Sequence, residues 1–361
     1  RAPLRRPLWN TGTMTDQLVI ARQEHTTGVL ELNRPRALNS LTSDMVRIID
    51  QHLAEWATDP QITQVLIYSN SPKAFCAGGD VRLAREYLLA GTPERADEFF
   101  AAEYVMNGNI AHFPKPYIAL IDGIAMGGGL GISAHGSHRI VTENALAAMP
   151  EMAIGFMPDV GMSYMMQHMV GTYGRKSPAV ARFLAITGYR LDPADMLYTG
   201  LATHYVPRQN LDALHRDIIQ HGVDKALATY QETSPENPQL KTYIDDIEAA
   251  FGYPTWDEID HRLTGELRDL VHQHIAHASP SAIVAALELI TAAGTKTDIR
   301  HELTLEIPFG EYIRRQPDFA EGVRAVLVDK RPDAQFQPKT FADVDPAPYR
   351  KILSYSAADD N

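Results

Sequence analysis

The chain has 361 residues, 45% of them apolar, a single cysteine and a formal net charge of −12. Such a length buries one large core or two smaller ones, and an acidic balance argues against broad nucleic-acid binding, which needs a basic surface. The lone Cys76 rules out an intramolecular disulfide and a cysteine-based zinc cluster and fits a reducing compartment, and no apolar run reaches the length of a membrane span.

Residues 1–13 are Arg-rich and free of acids, and they read as a disordered tail ahead of a plausible start at Met14. A cytoplasmic location is expected, with the mitochondrial matrix as the alternative should this segment be a transit remnant. Leu18 to Arg22 and Gly28 to Leu32 read as strands, the second ended by Asn33-Arg34-Pro35, because proline cannot continue a ladder. A helix follows, capped by Thr42 or Ser43, with Met45, Ile48, Ile49, Leu53 and Trp56 at helical spacing. Val65 to Tyr68 is a buried strand that enters the glycine turn Phe75-Cys76-Ala77-Gly78-Gly79-Asp80. Glu94 to His112 is helical, and Tyr117 to Ile121 is a strand leading to a second glycine run, 126–131. Gly127 to His135 starts a helix, and Arg139 to Thr142 is a strand. The order β-α-β-α-β predicts an α/β fold in which ligands sit at strand-to-helix turns. After residue 208 the pattern is mostly helical, with Ser279-Pro280 a helix start and Gly294 its end. The expected organisation is thus a tail over 1–13, a core over 14–208 and a helical region over 209–361.

Both glycine turns let a backbone N–H approach a ligand without an intervening side chain, so Gly79 and Gly128 are candidate donors to an oxyanion or enolate. Each turn taken alone is equally readable as a simple tight turn. Glu151 lies among Met149, Pro150, Met152, Ala153 and Ile154, a setting that raises a carboxyl pKa and suits a general base or a nucleophile. Asp159, eight residues on, can reach the same substrate from another side. His272, His274 and His277 do not share one helical face and have no evident acid partner, so no metal is expected. Cys76 reads as a small buried residue rather than a nucleophile.

The stretches 32–39 (LNRPRALN), 73–80 (KAFCAGGD), 126–131 (MGGGLG), 148–151 (AMPE) and 318–325 (DFAEGVRA) make the chain resemble the crotonase (enoyl-CoA hydratase/isomerase) superfamily, over about Leu18 to Pro207 and again near the C-terminal end. The resemblance implies a crotonase-like β-β-α superhelix with a helical C-terminal region that supports trimers. It also implies an acyl-CoA substrate, so that coenzyme A is part of the substrate and no separate cofactor is expected. By the same resemblance Gly79 and Gly128 form an oxyanion hole. Ala37, Leu38, Ala77 and Asp80 line the CoA adenine and pantetheine, and Arg34, Arg36 or Arg82 meet phosphates.

Three departures from a hydratase point to the 3-hydroxyacyl-CoA hydrolase branch. Gly131 stands where hydratases carry a second glutamate, Asp159 stands where hydratases usually have glycine and the hydrolases have Pro-Asp, as in Pro158-Asp159 here, and Glu103 matches a substrate-binding glutamate of the hydrolases. The extra helical segment 209–278 also resembles that branch, while Gly161-Met162 replaces a Gly-Gly and is expected to narrow the acyl pocket. The implied reaction is hydrolysis of a short branched 3-hydroxyacyl-CoA such as 3-hydroxyisobutyryl-CoA. The catalytic residues would be Glu151 and Asp159, with Glu103 binding substrate. The rival readings are an enoyl-CoA hydratase or isomerase, and an acyl-CoA-binding protein whose catalysis has decayed.

Overall fold

The computed structural model describes residues 17–355, so the tail over 1–13 and the start at Met14 lie outside the described residues. Val19–Glu24 (β1) and Thr27–Leu32 (β2) pair as an antiparallel hairpin. The remaining strands are Gln64–Ser69 (β3), Ala74–Cys76 (β4), Tyr117–Ile121 (β5), Ile124–Met126 (β6), His138–Val141 (β7), Leu146–Ala148 (β8) and His204–Tyr205 (β9). They build a six-stranded sheet of order β1-β2-β3-β5-β7-β9, parallel from β2 onward, and a three-stranded parallel sheet of order β4-β6-β8.

Each of β3, β5 and β7 passes at once into its partner in the small sheet, and a helical segment follows. The repeating unit is therefore β-β-α, wound three times, and not the β-α-β-α-β order read from the pattern. The strands that were missed are three residues long (β4, β6 and β8) or two (β9), too short to display a period of two.

Parallel strands covered on both faces should be apolar throughout, and here alternate residues serve different layers. Val65, Ile67, Ala119, Ile121 and Val141 face the main core. Leu66, Ile118, Leu120 and Ile140 face a second cluster built with Leu211, Leu214, Ile218 and Leu227, which come from helices Arg208–His221 and Val223–Tyr230. Helix Ser43–Thr58 starts where expected, with the Thr42 side chain accepting from Met45 N, and it buries Met45, Ile49, Leu53 and Trp56. Ser279 likewise caps Pro280–Ala293, accepting from Ala282 N.

Beyond residue 208 the chain is helical as read, and helix Ile299–Arg314 lies against Glu94–Ala111. Its inner face carries Leu303, Phe309 and Ile313 but also Glu302, Glu306 and Arg314, all buried. Among the described residues no single helix is long and apolar enough to cross a bilayer.

Candidate active site

The first glycine turn is shaped by residues far upstream of it. Leu38 and Asn39 have φ of +51° and +57°, a left-handed conformation that asparagine tolerates and leucine holds only with outside support. Asn39 supplies that support: its Oδ1 accepts from Arg34 N at 2.8 Å and its Nδ2 donates to Phe75 O at 3.0 Å. Leu41 N then donates to Gly78 O at 2.8 Å, and Asp80 N returns to Leu41 O at 3.0 Å. Within this frame Gly78 takes φ +128°, open to glycine alone. The next amide, Gly79 N, donates to no acceptor among the described residues and lines a cavity.

The second turn comes off β6 into helix Gly128–Gly131, whose first amides have no partner within the helix. This helix stops after four residues, which corrects the expectation that it runs from Gly127 to His135. Gly128 therefore contributes an unpaired amide more than a macrodipole, since the dipole is a sum over many peptides. The turns meet closely: a Cβ on Gly128 would lie 3.1 Å from Gly79 N and 2.7 Å from Glu103 Oε1. Two free N–H groups and a carboxyl group thus converge in a cavity of about 240 Å³ walled by Phe100, Pro150, Ile154, Phe156, Val160 and Leu327.

Three acids reach this cavity from different elements. Glu103 comes from helix Glu94–Ala111, Glu151 opens the 3₁₀ turn Glu151–Ile154, and Asp159 sits in the loop before helix Met162–His168. Their exposures are 1%, 5% and 4%, so the apolar setting inferred for Glu151 holds for all three. Glu103 Oε1 and Glu151 Oε2 have no hydrogen-bond partner among the described residues. Burial pushes both glutamates well above the usual carboxylate range, and the charge on Asp159 adds to each shift. Asp159 rises less, to about 6, because the Tyr104 hydroxyl donates to its Oδ2 at 2.8 Å and the Arg314 cation opposes the effect of burial. The acids titrate as a group in which Asp159 ionises first.

Of the four residues expected to line the CoA path, Ala77 and Asp80 border the cavity, whereas Ala37 and Leu38 do not. The latter two connect to its wall through the backbone: Leu38 O accepts from Ala77 N at 3.0 Å, and Ala37 O accepts from Ser40 N at 3.0 Å and Ser40 Oγ at 2.8 Å. The Asp80 carboxylate caps helix Val81–Leu89 through Leu83 N and pairs with Arg34 at 3.3 Å, so Arg34 is already engaged. Arg82 is exposed on the cavity rim and Arg36 is exposed away from it. Cys76 is fully buried, donates its Sγ–H to Asn39 O at 3.1 Å, and has its thiol pushed up to about 12, as a core residue would. Met162 is also fully buried and does not border the cavity, so the expected narrowing of the pocket does not come from it.

Gly131 is the informative glycine. A Cβ there would lie 2.8 Å from Asn107 Nδ2 and 2.8 Å from Val160 Cβ, so a side chain has no room at this position. Sequence reasoning missed Tyr104, Glu302, Glu306 and Arg314. Arg314 is buried over the Phe100 ring at 4.1 Å and pairs with Asp97 at 2.9 Å. Glu302 and Glu306 did leave a signal: two acids four apart on the same helical face as Leu303, Phe309 and Ile313 interrupt an otherwise apolar stripe.

A family model described as enoyl-CoA hydratase/isomerase matches residues 27–353. The chain is 36% identical over 339 residues to the Homo sapiens protein named 3-hydroxyisobutyryl-CoA hydrolase, mitochondrial, covering 90% of this chain and 86% of that one. It is 36% identical over 332 residues to the Xenopus tropicalis protein of the same name, covering 88% and 83%. A solved structure of a carnitinyl-CoA dehydratase from Mycobacterium thermoresistibile superposes with a TM-score of 0.86 at 33% identity, covering 94% of this chain and 96% of that one. An enoyl-CoA hydratase from Rhodobacter sphaeroides 2.4.1 gives 0.85 at 34%, covering 94% and 97%. These proteins agree in fold and differ in the reaction their names carry.

Proposed function

The chain belongs to the enoyl-CoA hydratase/isomerase family, and within it we propose that it hydrolyses a short branched 3-hydroxyacyl-CoA thioester, of the 3-hydroxyisobutyryl-CoA type, to the free acid and CoA. The observation that carries this reading over hydration is the filled space at Gly131, beside a cavity that nevertheless gathers Glu103, Glu151 and Asp159 around two free amides. A hydratase needs two acids to hold the water it adds, and Val160 and Asn107 occupy the place of the second. The names of the human and frog relatives agree with hydrolysis, and their mitochondrial location supports the matrix over the cytoplasm for this chain. The resemblance supports an oligomer, with a trimer as the expected form.

In the proposed reaction the thioester oxygen lies between Gly79 N and Gly128 N, which stabilise negative charge as the carbonyl carbon becomes tetrahedral. Glu151 attacks that carbon as the carboxylate, a form that burial makes less populated but more nucleophilic; the C–S bond breaks, and the acyl group passes to Glu151 as a mixed anhydride. Glu103, kept protonated by burial beside Asp159, donates the proton taken up by the leaving thiolate. Water activated by Asp159 then cleaves the anhydride, releasing the hydroxy acid and restoring the Glu151 carboxylate, and the proton taken by Asp159 passes back to Glu103 to reset the site. Activation of water by Glu151 is the alternative route to the same products, and the two differ in whether an anhydride forms on Glu151. The steps use these residues, water and the substrate, whose own CoA is the leaving group.

The test is Glu151→Gln, assayed on a panel of acyl-CoA esters for both free thiol and loss of the enoyl double bond. The wild type is expected to release CoA from 3-hydroxyisobutyryl-CoA, and the variant to lose at least about a hundredfold in kcat while still binding CoA. Efficient hydration of crotonyl-CoA by a wild-type protein that releases no thiol would overturn the proposal.

A further inference from the structure

The loop that presents Asp159 holds a backbone conformation its residues do not favour. Val160 has φ +55° and Gly161 φ +76°, and a β-branched residue stays in the left-handed region only where its surroundings over-determine it. The side chain of Val160 is thereby turned toward Gly131, where it fills the space in which a second acid would stand. Three contacts surround this strained pair. The His135 ring donates from Nε2 to Val160 O at 2.6 Å, a role set by the carbonyl, which can only accept. Tyr104 donates to the Asp159 carboxylate at 2.8 Å, and Gly161 N donates to Glu306 Oε1 at 3.0 Å.

Glu306 is an unlikely residue for plain packing. It lies fully buried on the inner face of Ile299–Arg314, 145 residues from Gly161, outside the lining of the cavity. Its Oε2 accepts from no N–H or hydroxyl donor among the described residues, and its carboxyl faces that of Glu302, one helical turn away, so that the two buried acids can share a proton. An apolar side chain in that stripe would avoid burying those polar atoms. What the carboxyl contributes in return is an acceptor for the one backbone amide that follows the strained Val160.

We infer that Glu306 is a positioning residue: by accepting from Gly161 N it holds Val160 and Gly161 left-handed, and so fixes both the aim of Asp159 into the cavity and the closure of the Gly131 position. This rests on the hydrolase reading for its catalytic consequence, but the geometric claim stands apart from it. Gly161 suits the arrangement, since a Cβ there would meet Ile299 Cδ1 at 2.9 Å and the His135 ring at 3.1 Å.

Two substitutions separate positioning from bulk packing. Glu306→Gln keeps an acceptor oxygen for Gly161 N, whereas Glu306→Leu fills the space without one. On the thioester that the wild type cleaves, Glu306→Leu is expected to lower kcat by up to about a hundredfold, as a misplacement of ~1 Å does, with KM little changed, and Glu306→Gln is expected to restore near-wild-type kcat. Glycine adopts φ +55° without steric cost, so Glu306→Leu should lose much less in a Val160→Gly background, a coupling the double-mutant cycle reads directly. Equal impairment of the Gln and Leu variants, or an equal loss in both backgrounds, would overturn the inference. A crystal structure of Glu306→Leu supplies a test independent of activity: Val160 should leave the left-handed region, and its persistence there would overturn the inference even for a protein that proved not to be a hydrolase. Failure of the wild type to cleave any thioester would instead count against the proposed function alone.

Discussion

Replacing Gly128 by alanine places a methyl group 3.1 Å from the Gly79 amide, 3.3 Å from Leu41 Cδ1 and 2.7 Å from Glu103 Oε1. The Glu103 carboxyl ends a flexible side chain and can move aside, but the Gly79 amide belongs to a turn fixed by the Asn39 and Leu41 hydrogen bonds and cannot. The methyl therefore settles between the two amides, where the thioester oxygen must lie. The backbone itself makes no objection, because Gly128 is not among the positive-φ glycines, and alanine is the better helix former by about 1 kcal/mol. Chemistry and stability should consequently part. Loss of one oxyanion donor costs about a hundredfold to a thousandfold in kcat, roughly 2.7–4 kcal/mol. Thiol release followed with a thiol-reactive dye gives kcat, calorimetric titration with CoA gives binding of the leaving group, and thermal unfolding checks the fold. A Gly128→Ala protein that unfolds like the wild type and keeps the wild-type kcat would show that this amide is not a donor to the substrate.

Gly131→Glu meets Asn107 and Val160 at 2.8 Å, so it should lower stability by about 1–3 kcal/mol through overpacking and gain no hydratase activity; an unshifted melting temperature together with hydration of crotonyl-CoA would contradict the steric argument. Tyr104→Phe removes a hydrogen bond that favours the ionised form of Asp159, so the Asp159 pKa should climb above about 6 and the acidic limb of the kcat/KM profile should move to higher pH. A limb that stays in place would show that Asp159 is not the group being titrated. Burial raises the Glu302 pKa from 4.5 to about 8; the folded state keeps a proton that the unfolded state gives up, so the associated stability is complete below the unfolded pKa and is lost as pH rises through the folded one. Glu302→Gln should flatten the fall in unfolding temperature between about pH 4.5 and about pH 8, and an unchanged slope there would refute the assignment.

The parts of the site legible in the sequence are those in which each residue carries its own chemical signature. Glycines that follow apolar runs mark turns where the chain must bend, and acids set among apolar neighbours mark carboxyl groups withheld from water. Glu151, named for its apolar neighbours, Asp159, named for its spacing from Glu151, and Glu103, named from the resemblance alone, do border one cavity with Gly79 and Gly128. Helix starts at Thr42 and Ser279 were readable for the same local reason, since a side-chain hydroxyl beside its own helix needs no distant partner.

What the sequence by itself determined, then, is the succession of apolar strands, glycine turns and capped helices, because the physics that makes each of them acts within a few residues. The tertiary structure alone decided the pairing of three-residue strands into a second sheet, since β4, β6 and β8 have no identity apart from their neighbours. It alone brought Glu306 beneath Gly161 and Arg314 over Phe100. The physical reason is the range of the interactions. A strained Val160, and a buried carboxyl that accepts from the amide after it, stabilise each other only once 145 residues of intervening chain have folded to place them together, and no local pattern encodes that distance.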